Sequence, residues 1–185
     1  MKFLVTGLGN PDPEYELTRH NIGFLVLDQL ANRQNALFSQ QRRAFTSSFK
    51  YKGRQINLIK PTTYMNLSGK AINFWLKELK LQQSQLLVVT DDIALPFGKL
   101  RMRAKGSDAG HNGLQNIDQI LGSNDYARLR FGIGNTFRKD QQVDYVLSNF
   151  SEEEFHQLPK YIEKACDMIL SLTKIGIERT MNLYN

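Results

Sequence analysis

The sequence predicts an α/β fold: a single domain with a twisted, mostly parallel mixed β-sheet flanked by helices on both faces. Short apolar runs that are typical of strands alternate along the chain with segments of helical periodicity. The stretch 86–89 is apolar without interruption, which is typical of a central strand buried on both faces. The length of 185 residues is that of one domain, so we predict a single domain over residues 1–185.

The first third of the chain predicts one strand, one helix and one hairpin. Residues 2–6 form a short apolar run that is typical of a strand. Apolar side chains recur every four residues from Ile22 to Leu30 and predict a helix. Residues 45–51 and 55–60 are expected to pair as a hairpin, because a short turn containing glycine lies between them.

The middle of the chain predicts two further helices and two further strands. Apolar residues between Ile72 and Leu79 share one face of a helix. Alternating residues at 100–103 and 128–133 predict strands. Residues 111–121 between them are predicted to form a helical crossover.

The C-terminal segment predicts an interrupted helical region. Residues 151–154 have the sequence of a capping box, which begins a helix. Pro159 is expected to break or restart that helix, because proline has no N–H to donate. Beyond it, Ile162, Cys166 and Ile169 predict an apolar face.

Cysteine content and hydropathy predict a cytoplasmic protein without a membrane partner. The single cysteine, Cys166, cannot form an intrachain disulfide, which fits a reducing compartment. The apolar run at the N-terminus is too short for a signal peptide. No stretch has the length needed to span a bilayer.

Polar residues follow three of the predicted strands or begin the helix after them, where α/β folds build their sites. Asn10 follows the first strand, Asp91 and Asp92 follow the run 86–89, and 110–113 begin a helix. Adjacent residues of a strand point to opposite faces, so one of the two aspartates is expected to face the site.

Neither a dinucleotide nor a metal is predicted to bind. Gly7 and Gly9 resemble the start of a dinucleotide-binding loop. The position of its third glycine is Asp12, however, and Pro11 and Pro13 prevent a helix directly after the strand. No two histidines have helical spacing, and there is no second cysteine. We therefore expect no metal and no cofactor.

The sequence also argues against a side-chain nucleophile. It contains no Gly-x-Ser-x-Gly motif, and Cys166 lies on an apolar helix face where a thiol is unreactive. The remaining chemistry is a water molecule activated by a histidine that a carboxylate orients. His156 lies among charged residues and is expected to be solvated, whereas His20 and His111 are each either a general base or a structural hydrogen-bonding group.

Cations alternate with other residues along one predicted strand, and two arginines of the next strand repeat the pattern. In an extended chain such alternate side chains share one face at a spacing of about 6.6 Å. The cations are Lys99, Arg101, Arg103, Lys105, Arg128 and Arg130. They form either a solvated strand edge or a phosphate-binding ridge, and their number and the formal net charge of +6 favour the ridge.

Five segments resemble, in order and spacing, the signatures of bacterial peptidyl-tRNA hydrolases. The resemblance runs from Lys2 to about Ser151 and implies an esterase that separates a peptide from the 3′ ribose of tRNA. It also implies a monomer that needs neither a metal nor an obligate protein partner. The segments are Gly7–Pro11 with Tyr15 and Thr18–Gly23, Lys60–Gly69, Asp91–Gly98, Gly110–Leu114 and Arg128–Gly134.

The resemblance implies roles for individual residues. His20 would deprotonate the attacking water, Asp91 would hold the His20 ring, and Asn10 would serve the reaction or the peptide channel. The implied substrate-binding residues are Tyr15, Met65, Asn66 and Asn112, and the implied tRNA phosphate-binding residues are Arg101, Arg103 and Arg130.

Two alternative functions remain open from the sequence. Relatives of similar fold bind RNA without turnover and act in intron splicing, and an esterase for a small substrate could use the same histidine and carboxylate. The complete set of His20, Asp91 and the asparagines argues against the first alternative. The predicted cationic ridge argues against the second.

Overall fold

The computed structural model describes residues 1–185 and contains seven strands and six α-helices. The strands are β1 (Lys2–Gly7), β2 (Ser39–Gln41), β3 (Ala44–Tyr51), β4 (Arg54–Pro61), β5 (Leu86–Asp92), β6 (Leu100–Arg103) and β7 (Ala127–Gly132). The helices are α1 (Ile22–Arg33), α2 (Ser68–Glu78), α3 (Asn112–Leu121), α4 (Gln142–Val146), α5 (Glu152–Ile175) and α6 (Ile177–Tyr184).

All seven strands form one sheet, in the order β2-β3-β4-β1-β5-β7-β6. The central strands β4, β1, β5 and β7 are parallel, whereas the β2–β3, β3–β4 and β6–β7 pairs at the two edges are antiparallel. The predicted α/β domain with a parallel-centred mixed sheet is confirmed. The strand β2 was not predicted, because it is short and its three residues are polar and exposed.

Two apolar cores attach the helices to the two faces of the sheet. Successive residues of a strand point to opposite faces, so Val5 belongs to the larger core and Leu4 to the smaller one. The larger core packs α1 and α5 against the sheet, and the smaller core packs α2 and α3. Helices therefore cover both faces, as predicted, and α6 lies along the edge strand β6.

The prediction that Pro159 breaks the C-terminal helix is wrong. Helix α5 is continuous through Pro159 and begins with the predicted capping box at Ser151. Pro159 cannot donate to the carbonyl of Phe155, but both residues are exposed, so water can satisfy that carbonyl. The other face of α5 packs Leu158 and Cys166 into the larger core, which compensates for the missing hydrogen bond.

Candidate active site

A cavity of about 470 Å³ lies at the carboxyl ends of β1 and β5. Each of the three polar clusters identified in the sequence, two at strand ends and one at a helix start, contributes to its wall. The residues of these clusters in the wall are Asn10, Asp91, Asp92, Gly110, His111 and Asn112. The other lining residues are His20, Tyr64, Met65, Asn66, Ile93, Asp108, Ala109, Arg130, Gln142, Val143, Val146 and Leu147.

His20 lies beside Asp91 at the floor of this cavity. His20 belongs to a 3-10 turn directly before α1, and the close approach of α1 to β1 brings this turn to the end of β5. A Cβ atom on Gly7 would lie 2.3 Å from the carbonyl oxygen of Gly23, so this approach requires glycine. His20 Nδ1 is 2.9 Å from Asp91 Oδ2, and the two residues are 8% and 3% exposed.

His111 holds the other oxygen of the same carboxylate. Its Nε2 lies 2.8 Å from Asp91 Oδ1 and 2.9 Å from Thr90 Oγ1. Its Nδ1 accepts the main-chain N–H groups of Gly113 and Leu114 at the start of α3. Because Nδ1 is an acceptor, the ring proton is on Nε2 and is donated toward Asp91. The sequence did not predict this second histidine contact.

The His20–Asp91 pair favours the charged form of both groups. Burial by itself lowers the pKa of His20, but the charge of Asp91 and its hydrogen bond outweigh burial and raise that pKa above its ordinary value. Burial by itself raises the pKa of Asp91, but His20 and His111 together hold it far below its usual range. Asp91 therefore favours the carboxylate form, whose charge stabilises a protonated His20.

Asn10 is held in one orientation by the main chain and by Asn21. Asn10 Oδ1 accepts the N–H of Met65 at 2.8 Å. Asn21 accepts the N–H of Asn10 and donates to its carbonyl oxygen, both at 2.9 Å. The Nδ2 group of Asn10 makes no hydrogen bond within the chain, so it is a donor available to the cavity. The role of Asn21 was not predicted, although the repeated His-Asn pair at His20 and His111 was the signal that could have indicated it.

The predicted substrate-binding residues are not all in the cavity. Asn66 and Asn112 line it with exposed side chains that make no hydrogen bond to the chain, and Met65 lines it as a buried residue. Tyr15 is not a lining residue. It lies in the turn Pro13–Tyr15 close to Tyr64, which occupies the cavity wall instead.

Arg19 joins the His20 turn to the segment that forms the opposite wall. Its Nη1 donates to Ser148 Oγ, and its Nη2 is 2.7 Å from Glu154 Oε1. The guanidinium carbon lies 4.3 Å from the ring centroid of Tyr145, at a distance typical of stacking. Since Arg19 precedes His20, these contacts fix the turn that carries His20 relative to α4.

The predicted ridge of six cations is wrong for two lysines because the strand is shorter than expected. β6 contains only Leu100–Arg103, so Lys99 and Lys105 lie in the flanking loops and do not continue its alternation. Both lysines are exposed. The strand face itself carries Arg101 and Arg103.

The prediction is also wrong for Arg128, which is fully buried. Its guanidinium stacks over Tyr126 at 4.3 Å and donates to the carbonyl oxygen of Asn124 at 2.8 Å. Burial lowers the pKa of Arg128. The loops that follow β6 and α3 cover this side chain, so Arg128 cannot reach a polyanion.

The three predicted phosphate-binding arginines do lie on one face of the sheet. Arg101 is directly opposite Arg130 in the β6–β7 register, and Arg103 is two residues further along β6. Arg130 lines the cavity, with Nη1 3.6 Å from Asp92 Oδ2 and Nη2 2.7 Å from the Ser107 carbonyl oxygen. Arg101 and Arg103 have no carboxylate partner, so their charge is uncompensated.

Three side chains at the cavity floor have the chemistry of metal ligands. Donor atoms of His20, Asp91 and His111 lie within 4.8 Å of one another. Spacing along the sequence could not reveal this group, because its members come from distant segments. Their hydrogen bonds are 2.8 and 2.9 Å long, whereas ligand atoms around tetrahedral zinc are roughly 3.4 Å apart. A metal could therefore enter only if the rings moved apart.

Two further titratable side chains, those of Cys166 and His156, do not line the cavity. Cys166 is buried in the larger core, and burial raises the pKa of its thiol to about 12, so it is an inert core residue as predicted. The side chain of His156 is 77% exposed on α5, which confirms that it is solvated.

A sequence profile of the family described as peptidyl-tRNA hydrolase matches residues 4–185. The chain belongs to the peptidyl-tRNA hydrolase family. Similar proteins named peptidyl-tRNA hydrolase include one from Cytophaga hutchinsonii, 54% identical over 100% of this chain and 98% of that protein. Another, from Phocaeicola vulgatus, is 52% identical over 100% of this chain and 99% of that protein.

Solved structures of peptidyl-tRNA hydrolases share this fold. A crystal structure from Acinetobacter baumannii superposes with a TM-score of 0.87 at 30% identity, covering 99% of this chain and 94% of that one. A peptidyl-tRNA hydrolase in complex with n-propanol superposes with a TM-score of 0.93 at 29% identity and the same coverage. The resemblance identified from the sequence signatures is thus confirmed.

No helix of this member of the peptidyl-tRNA hydrolase family combines the length and apolar character that crossing a bilayer requires.

Proposed function

We propose that the protein hydrolyses the ester between a peptide and the 3′ ribose of tRNA, with a water molecule activated by His20. The observation that carries this proposal is the contact of His20 Nδ1 with the buried carboxylate of Asp91. This contact leaves Nε2 as the free ring nitrogen, and His20 lines a cavity large enough for a substrate end. The membership of the peptidyl-tRNA hydrolase family supplies the substrate class.

The reaction needs one proton to move twice. The neutral ring of His20 takes a proton from water through Nε2 while the water oxygen attacks the ester carbonyl carbon. The resulting imidazolium is stabilised by Asp91, which stays ionised. When the C–O bond to the ribose breaks, His20 returns the proton to the 3′ oxygen of the leaving tRNA.

Asn10 supports the tetrahedral intermediate. Because Met65 N–H fixes the Asn10 amide oxygen, the unpaired Nδ2 group is the one that can donate to substrate. A preorganised donor at a developing oxyanion lowers the barrier most when it does not have to reorient during the reaction. We therefore assign Asn10 to the oxyanion, with Asn21 keeping its main chain in place.

The peptide is bound by free amides along the cavity. Asn66 and Asn112 have donors and acceptors without partners in the chain, which suits the main-chain amide of a peptide. A free α-amine would put a charge into this partly desolvated wall and leave those amides unsatisfied, which favours peptidyl-tRNA over aminoacyl-tRNA. Met65 supplies apolar contact to the peptide. Tyr15 acts indirectly, through the neighbouring Tyr64 in the cavity wall.

The tRNA phosphates are bound by Arg101, Arg103 and Arg130. Like charges directly opposite on two strands repel each other, and Arg101 faces Arg130 in this way. Only Arg130 has a carboxylate nearby, so a phosphate group would neutralise charge that the chain leaves uncompensated. Since this substrate arises during translation, we place the protein in the cytoplasm, without an obligate protein partner.

The test is peptide release from purified N-acetylaminoacyl-tRNA by the wild type and by His20→Ala. We expect a loss of about 10²–10⁴-fold in kcat for His20→Ala, the usual contribution of a general base. His156→Ala is the matched control, because this histidine is exposed on α5. Full activity of His20→Ala would refute the mechanism, and RNA binding without turnover by the wild type would favour the non-catalytic relative. A chelator is expected to leave the rate unchanged, because the steps use only side chains and water.

A further inference from the structure

The side-chain amide of Asn185 binds both main-chain polar groups of Met102. Asn185 Oδ1 accepts the N–H of Met102 at 2.8 Å, and Asn185 Nδ2 donates to the Met102 carbonyl oxygen at 2.9 Å. This pair of bonds reproduces what a residue of a neighbouring strand would make. Met102 needs such a partner, because β6 is the edge of the sheet and pairs only with β7.

Met102 lies between two of the uncompensated cations, Arg101 and Arg103. In an antiparallel pair, the main-chain groups of successive residues point alternately to the two sides of a strand. Because the groups of Met102 point to Asn185, those of Arg101 and Arg103 point to β7. Asn185 therefore binds the outer side of this segment of β6. The inner side of the same segment pairs with β7, and this pairing sets the register of Arg101 and Arg103.

The carbonyl oxygen of Met102 is also bound by Arg103. Arg103 Nη1 donates to it at 3.2 Å, beside the shorter bond from Asn185 Nδ2. A carbonyl oxygen has two lone pairs, and here both are used. Without the Asn185 amide, the guanidinium of Arg103 would be the only partner of this carbonyl within the chain and would be drawn toward its own main chain.

Asn185 itself has a fixed position. Its N–H donates to the carbonyl of Met181 at 3.0 Å, so it continues the last turn of α6. Met181 and Tyr184 of α6 pack against the larger core. The amide is thus presented to β6 by a helix that is anchored elsewhere.

We propose that Asn185 is a positioning residue for tRNA binding: its amide acts as a substitute strand that keeps Arg101 and Arg103 aligned beside Arg130. This inference rests on the proposed function, since it assigns those arginines to substrate phosphates. In this role Asn185 acts through its bonds to the edge strand. Its loss should therefore weaken the binding of tRNA and leave the chemistry at His20 intact.

The test compares two substrates that carry the same ester. One is full-length N-acetylaminoacyl-tRNA, and the other is N-acetylaminoacyl-adenosine, which has no phosphate. For Asn185→Ala, we expect KM for the tRNA substrate to rise about three- to tenfold, the effect of removing one or two hydrogen bonds. We expect kcat for the tRNA substrate and kcat/KM for the adenosine ester to stay within about twofold of wild type. Asn182→Ala is the matched control, because Asn182 is exposed on the same helix.

A second variant distinguishes the loss of the hydrogen bond from a misfolding of Asn185→Ala. Asn185→Asp keeps the size and the acceptor for Met102 N–H but replaces the donor by an oxygen facing the Met102 carbonyl. It should raise the same KM, and hydrogen exchange at the Met102 amide should be faster in Asn185→Ala than in wild type. An unchanged KM in both variants, or an equal loss on both substrates, would overturn the positioning role.

The two proposals fail in different ways. Wild-type protein that cleaves neither substrate would refute the proposed function. Wild-type protein that cleaves both, with variants that keep their affinity for tRNA, would refute only the role of Asn185.

Discussion

His111 Nε2 lies 2.8 Å from Asp91 Oδ1, while His20 Nδ1 lies 2.9 Å from the other oxygen of that carboxylate. One buried carboxylate is therefore shared by two imidazole rings. Because His111 Nδ1 accepts main-chain N–H groups at the start of α3, its ring cannot turn without breaking those bonds. His111 thus fixes the direction from which Asp91 holds His20.

Replacing His111 should slow the reaction and shift its pH dependence. In His111→Ala, Asp91 loses the donor on Oδ1 and interacts more strongly with His20, so the pKa of His20 should rise further. We expect kcat to fall about tenfold, less than for loss of the general base itself. The acid limb of the kcat/KM profile should move to higher pH. A limb that stays in place while the rate falls would mean that His111 acts only on the fold.

The pH dependence of the wild type follows from the raised pKa of His20. Only the neutral ring can accept a proton, so activity should increase as pH rises through the pKa of His20, with a midpoint above the ordinary value of 6.5. In Asp91→Asn the charge that raises this pKa is lost, while burial still lowers it. The limb should then move to lower pH as the plateau rate falls. A wild-type limb below pH 6.5 would contradict the assigned electrostatics.

Asn10→Asp should slow the chemical step more than it weakens substrate binding. The aspartate can still accept the N–H of Met65 through one oxygen, so the local fold should be kept. The second oxygen replaces the free Nδ2 donor and repels a developing oxyanion. We expect kcat to fall about 10²–10³-fold, as for loss of an oxyanion donor, with a smaller change in KM. Steady-state kinetics on N-acetylaminoacyl-tRNA measures both, and a change confined to KM would assign Asn10 to peptide binding instead.

Neutralising Arg101 and Arg103 should weaken binding of tRNA in a salt-dependent way. For Arg101→Gln and Arg103→Gln, we expect KM to rise about three- to tenfold at low salt. The slope of log affinity against log salt concentration should decrease by about one for each phosphate group that the variant no longer binds. Arg54→Gln is the matched control, because Arg54 begins β4 at the opposite end of the sheet from the cavity. Equal effects of all three variants would indicate general charge attraction without a defined phosphate site.

Most of the fold was predictable because it depends on local patterns. The periodicity of residues 22–30 predicts α1, and the glycine-containing turn predicts the β3–β4 hairpin. Each of these predictions needs only the local sequence. Pro159 was misjudged because the cost of its missing hydrogen bond depends on exposure and on the packing of the opposite helix face, which are tertiary properties. The same holds for Arg128, whose burial depends on loops that fold over it.

The site was predictable only in part, for a related reason. Strand ends of a parallel sheet converge, so Asn10 and Asp91 could be expected near each other. Which imidazole nitrogen meets which carboxylate oxygen depends on side-chain rotamers and helix starts, so the contact of His111 with Asp91 was not predictable. The His-Asn pair pointed to Asn21 but could not identify its partner, because that partner is the main chain of Asn10.

The carboxylate of Asp91 is where segments around positions 20, 91 and 111 meet, and none of the three carries the reactive arrangement alone. In the proposed mechanism, the site is therefore complete only when all three segments have folded against one another. A nascent chain in which α3 has not yet folded would lack the His111 contact with Asp91, so full turnover would report that these segments have assembled at the carboxyl end of β5.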